Sequence, residues 1–341
     1  MMNIAVCGYY GMGNFGDDLF LRTFQQVFHP HQVYPWNNQL DATKTDAVII
    51  GGGDLITPYA FNTNYFPPAL KDKPTWLYGV GIVDAYPEET WPADQVEKYR
   101  EVISRAKRAV FRDSRSAEIA KRARFHSDVE TAPDLAFGYR QPKFPYKKPS
   151  ARKTIGICVF SYDSFPFDSF VSLMKSLSDR GYHLRLIPAV NHPNGGGYSD
   201  YPMCVRIKTR LREIAPHASV DILPLLLDLE LTYSAIQSVD YLISFKLHPT
   251  LVALRAGIPA LAFSGMSKVR SLLQLFGMEK YYCDYREPLE GYSAVIDDFL
   301  TNGPDLVRFR EHRFRLAERE SLRSLLRLRK EIEKHVHWHN K

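Results

Sequence analysis

The stretch Asp240–Leu273, DYLISFKLHPTLVALRAGIPALAFSGMSKVRSLL, decides how the rest of the chain is read. Tyr241 to Phe245 is an apolar run of strand length, Lys246 to Pro249 a short turn, and Thr250 to Ala256 a helix stopped by Gly257. Pro259 to Phe263 is a second apolar run, opening onto Ser264-Gly265-Met266-Ser267-Lys268. Strand, helix and strand at this spacing predict a βαβ unit. Such units form parallel sheets whose ligands sit outside the carboxyl ends of the strands. Both polar clusters, Lys246 with His248 and Ser264 with Ser267 and Lys268, fall at such ends. Cations, hydroxyls and helix amino-termini on one rim suit an anion, because unpaired N–H groups and the helix dipole favour negative charge there. A lone histidine before a helix is as readily a cap as a catalyst. The lysine two residues ahead of it tips the reading toward a small phosphorylated donor.

The alternation extends toward the amino terminus. Thr154 to Phe160, His183 to Pro188 and Val220 to Leu223 read as strands, with helices at Phe167 to Leu177 and Met203 to Ile214 between them. The loop Asn191 to Asp200 (NHPNGGGYSD) stands at a strand's carboxyl end and suits a mobile lid. Residues 141–152, QPKFPYKKPSAR, rich in proline and cations and without periodicity, read as a linker.

Before the linker the pattern repeats. A strand from Asn3 to Cys7 feeds the glycine-rich turn Gly8 to Asp18, followed by a helix from Leu19 to Phe28. The turn contains Gly11-Met12-Gly13-Asn14-Phe15-Gly16, but Asp17 and Asp18 come directly after it. Two carboxylates at a helix amino-terminus would repel a pyrophosphate, so this is not read as a dinucleotide site. It is read as a platform for an uncharged, hydroxyl-rich ligand, with Asn14, Asp17 and Asp18 placed to bind or deprotonate hydroxyls. The plainer alternative is that Asp17 caps the helix. Ala47 to Ile50 ends in Gly51-Gly52-Gly53-Asp54, where Gly52 permits close approach to the backbone and Asp54 adds a carboxylate. Thr75 to Val80 is a further strand. In Phe111-Arg112-Asp113-Ser114-Arg115-Ser116, Arg112 is a candidate anion ligand or a surface cation, Asp113 or Ser114 caps a helix, and Asp134 can orient a neighbouring cation.

Length and composition bound these readings. A chain of 341 residues favours two domains, placed at residues 1–148 and 152–305, with a basic helical tail over 306–341. An apolar share of 45% and a charged share of 24% are ordinary for a globular protein, and no apolar run is long enough to span a membrane. MMNIAVCGYY lacks the pattern of a secretory signal, so a cytoplasmic location is expected. Cys7, Cys158, Cys204 and Cys283 are scattered, as buried reduced thiols would be and a disulfide framework or zinc site would not. Most of the net charge of +6 lies after Asp305, in a segment whose cations are interleaved with glutamates. A solvated helix is the first reading of it, peripheral contact with the inner face of a membrane the second, and nucleic acid the last, for want of a recognition motif. His335, His337 and His339 are not read as a metal site, since chain termini fray.

Two α/β domains joined by a proline-rich linker, each with polar loops at strand carboxyl ends, resemble the B-type glycosyltransferases. The ordered set GYYGMGNFGDD, VIIGGGDLI, WLYGVGI, FRDSRSAE, APDLAF and ISFKLHPTLVALRAGIPALAFSGMSKV resembles the polysaccharide pyruvyl transferase family over about residues 3–275. The resemblance implies a ketal-forming enzyme that moves pyruvate from phosphoenolpyruvate to a sugar of a cell-surface polysaccharide or its precursor. The family's basic-Leu-His motif falls on Lys246 and His248, and its Arg-Asp-x-x-Ser motif on Arg112, Asp113 and Ser116. Lys246 stands where the family usually has arginine, which replaces a bidentate fork with a point charge. On this reading Arg112, Lys246, His248, Ser264 and Lys268 bind the donor, and His248, Asp17 and Lys246 are catalytic. Asn14, Asp18, Gly52 and Asp54 meet a glycan or lipid-linked acceptor. No cofactor or metal is obligatory, and a homo-oligomer is compatible with it. The competing readings are a nucleotide-sugar glycosyltransferase of the same fold and a non-catalytic glycan-binding protein.

Overall fold

The computed structural model describes residues 1–83, 87–141, 151–193, 199–224 and 228–339, with side chains as far as 337. The chain forms two compact units. Unit 1 comprises Met1–Gly11, Asp17–Arg140 and Ala317–Lys341, and unit 2 comprises Met12–Gly16 and Gln141–Leu316.

Unit 1 is built on six parallel strands, β1 (Asn3–Cys7), β2 (Gln32–Pro35), β3 (Ala47–Ile56), β4 (Thr75–Ile82), β5 (Ala109–Phe111) and β6 (Val129–Thr131). Its helices are α1 (Phe15–Phe28), whose residues from Asp17 onward belong here, α2 (Ala93–Ile103) and α3 (Ser114–Arg122). The strand order is β2-β1-β3-β4-β5-β6. Chain direction across the sheet reverses beside β1, so the switch point lies between β1 and β3, where the glycine-rich turn leaves Cys7.

In unit 2 the strands are β7 (Thr154–Cys158), β8 (His183–Leu186), β9 (Val220–Ile222), β10 (Tyr241–Ser244), β11 (Ala260–Phe263) and β12 (Tyr282–Cys283). They are also all parallel. The helices are α4 (Phe167–Asp179), α5 (Asp200–Ile214), α6 (Leu229–Gln237), α7 (Leu247–Arg255), α8 (Ser267–Leu275) and α9 (Ser293–His339). The order β12-β11-β10-β7-β8-β9 puts the switch point between β7 and β10, with Ser244 level with Cys158. Strands β7, β10 and β11 are buried along their whole length, as a sheet covered on both faces requires, and this is why they read as apolar runs without alternation. All four cysteines are free and buried.

Three helices start earlier than their sequence suggests, each for a local reason. α1 starts at Phe15 rather than Leu19, because the Asn14 side chain accepts the Gly16 N–H at 3.1 Å and so caps it; Asp17 is inside the first turn and is not the cap. α7 starts at Leu247 rather than Thr250. The Ser244 hydroxyl accepts from Lys246 N and donates to Lys246 O, both at 3.0 Å, bending the chain straight into the helix. Pro249 then falls in the first turn, where its missing N–H is not needed. α9 starts at Ser293, ahead of the tail expected over 306–341, and carries Gly303-Pro304 inside it; Gly303 leaves room for Pro259, 3.1 Å from where a Cβ would stand. Residues 142–150 of the expected linker and 194–198 of the expected lid lie outside the described residues.

Candidate functional site

Within unit 2, the carboxyl end of β10 leads to Lys246 at the amino-terminal cap of α7, and His248 lies in that helix's first turn. The short segment Met12–Gly16 packs here, zipped against the chain that follows β8. Phe15 N donates to Ala189 O at 2.9 Å, Asn191 N donates to Gly13 O at 2.8 Å, and Asn14 bridges Val190 in antiparallel fashion. Two glycines of the turn are there because nothing larger fits. A Cβ on Gly13, whose φ is +69°, would lie 1.9 Å from Asn191 O, and a Cβ on Gly16 would lie 1.9 Å from His248 Nδ1. The amino-terminal motif is thus a backbone wall laid against the imidazole.

Lys246 has a partner that sequence reasoning missed. Its Nζ lies 3.3 Å from Oδ2 of Asp200, the first residue of α5, which is 0% exposed. The same oxygen accepts from Val190 N at 2.8 Å and Ala189 N at 3.1 Å. Burial pushes the Asp200 carboxyl above its ordinary range, while Lys246 and the two amides pull it back only in part. The available signal was an aspartate closing a glycine-rich loop at a strand's carboxyl end, but nothing local pairs it with a lysine 46 positions later. Asn191 is buried as well; its amide donates to Pro188 O at 3.1 Å.

The second polar loop of unit 2 follows β11. Ser264 is buried, its hydroxyl accepts from Met266 N at 3.1 Å, and its carbonyl accepts from the Tyr282 hydroxyl. Lys268 is half-buried in the first turn of α8.

Unit 1 has its own polar cluster at the carboxyl ends of β3, β4 and β5. The Arg112 side chain, 6% exposed, donates to Asp54 and lies 3.5 Å from Asp113. Burial would lower its pKa, but Asp54, Asp134 and Asp113 outweigh that and raise it. Asp113 also caps α3, accepting from Ser116 N at 2.7 Å and from the Ser116 hydroxyl at 3.1 Å. Ser116 in turn accepts from Ile82 N at 3.1 Å. Asp134 accepts from Ala136 N at 2.9 Å. The Arg-Asp-x-x-Ser motif is therefore a junction between β4, β5 and α3, and Arg112 is enclosed by carboxylates.

Asp18 accepts from Gly11 N at 2.7 Å, and burial raises its pKa more than that bond lowers it. Asp17 lies against Gly53, where a Cβ would stand 2.8 Å from Asp17 Oδ1. Gly52 has a φ of +72° and packs on Phe20. At the far end of α9, His335 stands edge-on to Trp76 with ring centroids 5.5 Å apart, so this part of the expected frayed terminus is packed. The side chain of His339 lies outside the described residues.

Arg112-Asp113-x-x-Ser116, Lys246 and His248 fall inside a match to the family model for polysaccharide pyruvyl transferase, which covers residues 14–265. The chain belongs to this family. No curated protein matches this polysaccharide pyruvyl transferase family member. Among solved structures it is similar to the sucrose-phosphate synthase of Thermosynechococcus elongatus, at 9% identity and a TM-score of 0.59 over 98% of this chain and 99% of that one. It is similar also to an S. aureus MnaA–UDP co-structure, at 11% identity and 0.59 over 90% and 91%. The glycosyltransferase SnogD from Streptomyces nogalater gives 13% identity and 0.53 over 96% and 98%. At such identities the likeness is one of fold. The family member shares with them a fold of two Rossmann-like domains. Among the described residues no helix is long and apolar enough to cross a membrane.

Proposed function

We propose that this member of the family takes pyruvate from phosphoenolpyruvate and closes it as a cyclic ketal on two hydroxyls of a glycan or lipid-linked sugar. The observation that carries the reading is the placement of Lys246 and His248 at the switch point of a parallel sheet, on the opening turn of α7, in a chain of this family. An anion there meets the Lys246 ammonium at the positive end of the α7 dipole, with Ser264 and Lys268 on the neighbouring loop.

His248, as imidazolium, donates its proton to the methylene carbon of the enol. The first sugar hydroxyl adds at C2 and loses its proton to a carboxylate, for which Asp17, Asp18 and Asp54 are the candidates. The C2–O bond to phosphate breaks, phosphate leaves with the bonding pair, and the second hydroxyl adds at C2 to close the ring, its proton passing to the now neutral imidazole of His248 and restoring the imidazolium. The products are the ketal and inorganic phosphate, and no step calls for a metal. Arg112 would meet the donor only by loosening its hold on Asp54, so its first role in this reading is to organise the acid-rich cluster of unit 1.

The test is His248→Ala. The fold should survive, since His248 stands inside the first turn of α7 and Lys246 occupies the N-cap position, and the chemical step should slow by about 10² to 10⁴-fold, the usual worth of a general acid. Activity of the parent should fall as pH rises, because only the imidazolium has a proton to give. A destabilised but fully active variant ends the proposal. The fold likeness to glycosyltransferases supports a second reading, transfer from a nucleotide sugar. Thermal shift with phosphoenolpyruvate against nucleotide sugars separates the two, since the native ligand raises the melting point.

A further inference from the structure

Unit 2 devotes an unusual amount of buried hydrogen bonding to one carboxylate. Oδ2 of Asp200 receives the N–H groups of Ala189 and Val190 and the ammonium of Lys246, at 3.1, 2.8 and 3.3 Å. The two residues whose amides it holds are those onto which the glycine turn is zipped, through Ala189 O to Phe15 N and the Val190 bridge to Asn14. The next residue of the turn, Gly16, is pressed against His248. One side chain thus stands between the cation at the donor rim and the wall behind the imidazole.

We infer that Asp200 is a positioning residue: by holding Lys246 and the 189–191 chain with the same carboxylate, it makes the set of the donor-binding cation and the seating of the glycine turn a single event. The inference deepens the reading above and rests on it for the identity of the donor. A charge with no path to water must be held by oriented partners, and here those partners are the two things the site has to align. An aspartate meant only to neutralise a lysine would need neither the two amides nor complete burial.

Neutralisation and positioning predict opposite signs for Asp200→Asn. Asparagine keeps an oxygen for the two amides and removes the negative charge. If Asp200 only cancelled charge, a bound anion would lose a repulsive neighbour and bind more tightly. If Asp200 positions Lys246, anion binding weakens, by about tenfold for the loss of one well-placed charged contact.

Inorganic phosphate is the probe, because its binding needs no reaction and no acceptor. Calorimetric titration of the full chain should give weaker phosphate binding in Asp200→Asn, in Lys246→Met, and in the double variant no weaker than in Lys246→Met alone. A merely structural aspartate would weaken binding equally in both backgrounds, and that result, or tighter or unchanged binding in Asp200→Asn, overturns the inference. Should Asp200→Asn fail to fold, Lys246→Met carries the test by hydrogen exchange. Coupling requires the amides of Phe15 and Asn191 to exchange faster once the lysine is gone, and unchanged protection refutes it. A parent that binds phosphate with this pattern yet forms no ketal from phosphoenolpyruvate sinks the functional reading and leaves the role of Asp200 standing.

Discussion

The two sheets carry their polar residues at equivalent places, the carboxyl ends of the strands around a switch point, and give them opposite electrostatic characters. In unit 1 a single guanidinium, Arg112, is closed in by Asp54, Asp113 and Asp134, with Asp17 and Asp18 on the nearby first turn of α1. In unit 2 the ammonium of Lys246 answers to one carboxylate, Asp200, and the imidazole of His248 lies on the same helix turn. The same architecture thus supplies one acid-rich rim, suited to holding and deprotonating hydroxyls, and one rim suited to an anion. A fold does not choose between them; the side chains set at its strand ends do.

Removing the cation from each rim should break the symmetry most visibly. Arg112→Ala takes the buried cation from between the half-buried carboxylates of Asp54 and Asp113 and the buried one of Asp134, and the cost to stability should be about 3 kcal/mol, read from the denaturant midpoint. Lys246→Ala should cost much less, because Asp200, already pushed toward its neutral form by burial, can take up a proton. Equal losses would mean that the two rims are not electrostatically different. A second substitution acts through geometry. Gly16→Ala puts a methyl where His248 Nδ1 now lies, so the imidazole has to move; turnover should fall by about 10²-fold and donor affinity should weaken with it, since the imidazole and Lys246 share the rim. Unimpaired turnover would show that the wall does not set the imidazole.

A smaller effect concerns the sheet edges, which are alike where the rims differ. Arg108 forks onto Glu130 in unit 1, and Arg185 forks onto Asp221 in unit 2. Burial opposes ionisation of Asp221, but His183 and Arg185 win and bring its pKa down to about 2 from an ordinary 3.8. A carboxyl lowered on folding contributes stability that is full above its unfolded pKa and is lost as pH falls through its folded one. Asp221→Asn should therefore destabilise at pH 6 by on the order of 1 kcal/mol, discounted because the group is partly exposed, and by nearly nothing below pH 2. A penalty independent of pH would point to lost packing instead. Smallest of all, His335→Ala should lower stability by about 1 kcal/mol, the worth of the edge-on contact with Trp76, and leave turnover unchanged.

Much of this was legible in the residues. The strands of unit 2 announced themselves because a sheet covered on both faces needs continuous apolar runs, and Lys246 and His248 stood out as polar residues at the end of one. The starts of α1 and α7 differ from the sequence reading because the Asn14 cap and the Ser244 turn depend on backbone direction, which composition does not carry. Asp200 was invisible for a different reason: its partners at 189, 190 and 246 are brought together only by the order of the strands. The enclosure of Arg112 was half visible. Asp113 is its neighbour in sequence, but Asp54 and Asp134 reach it from other strand ends.

The continuity of α9 bears on how the protein is made. Its residues from Ala317 onward belong to unit 1, where Arg329 donates to Val27 O and His29 O, Trp76 donates to Glu331, and Ser321 donates to Asp134 O. Unit 1 is therefore started before unit 2 on the ribosome and completed after it, with residues 141–316 of unit 2 synthesised in between. The strands of unit 1 emerge early but wait for their closing helix until the residues after Ala317 have been made, while the sheet of unit 2 is complete by Cys283. A nascent chain arrested before Ala317 should hold a folded second unit beside an unfinished first one, an order the reverse of the usual amino-terminal-first sequence.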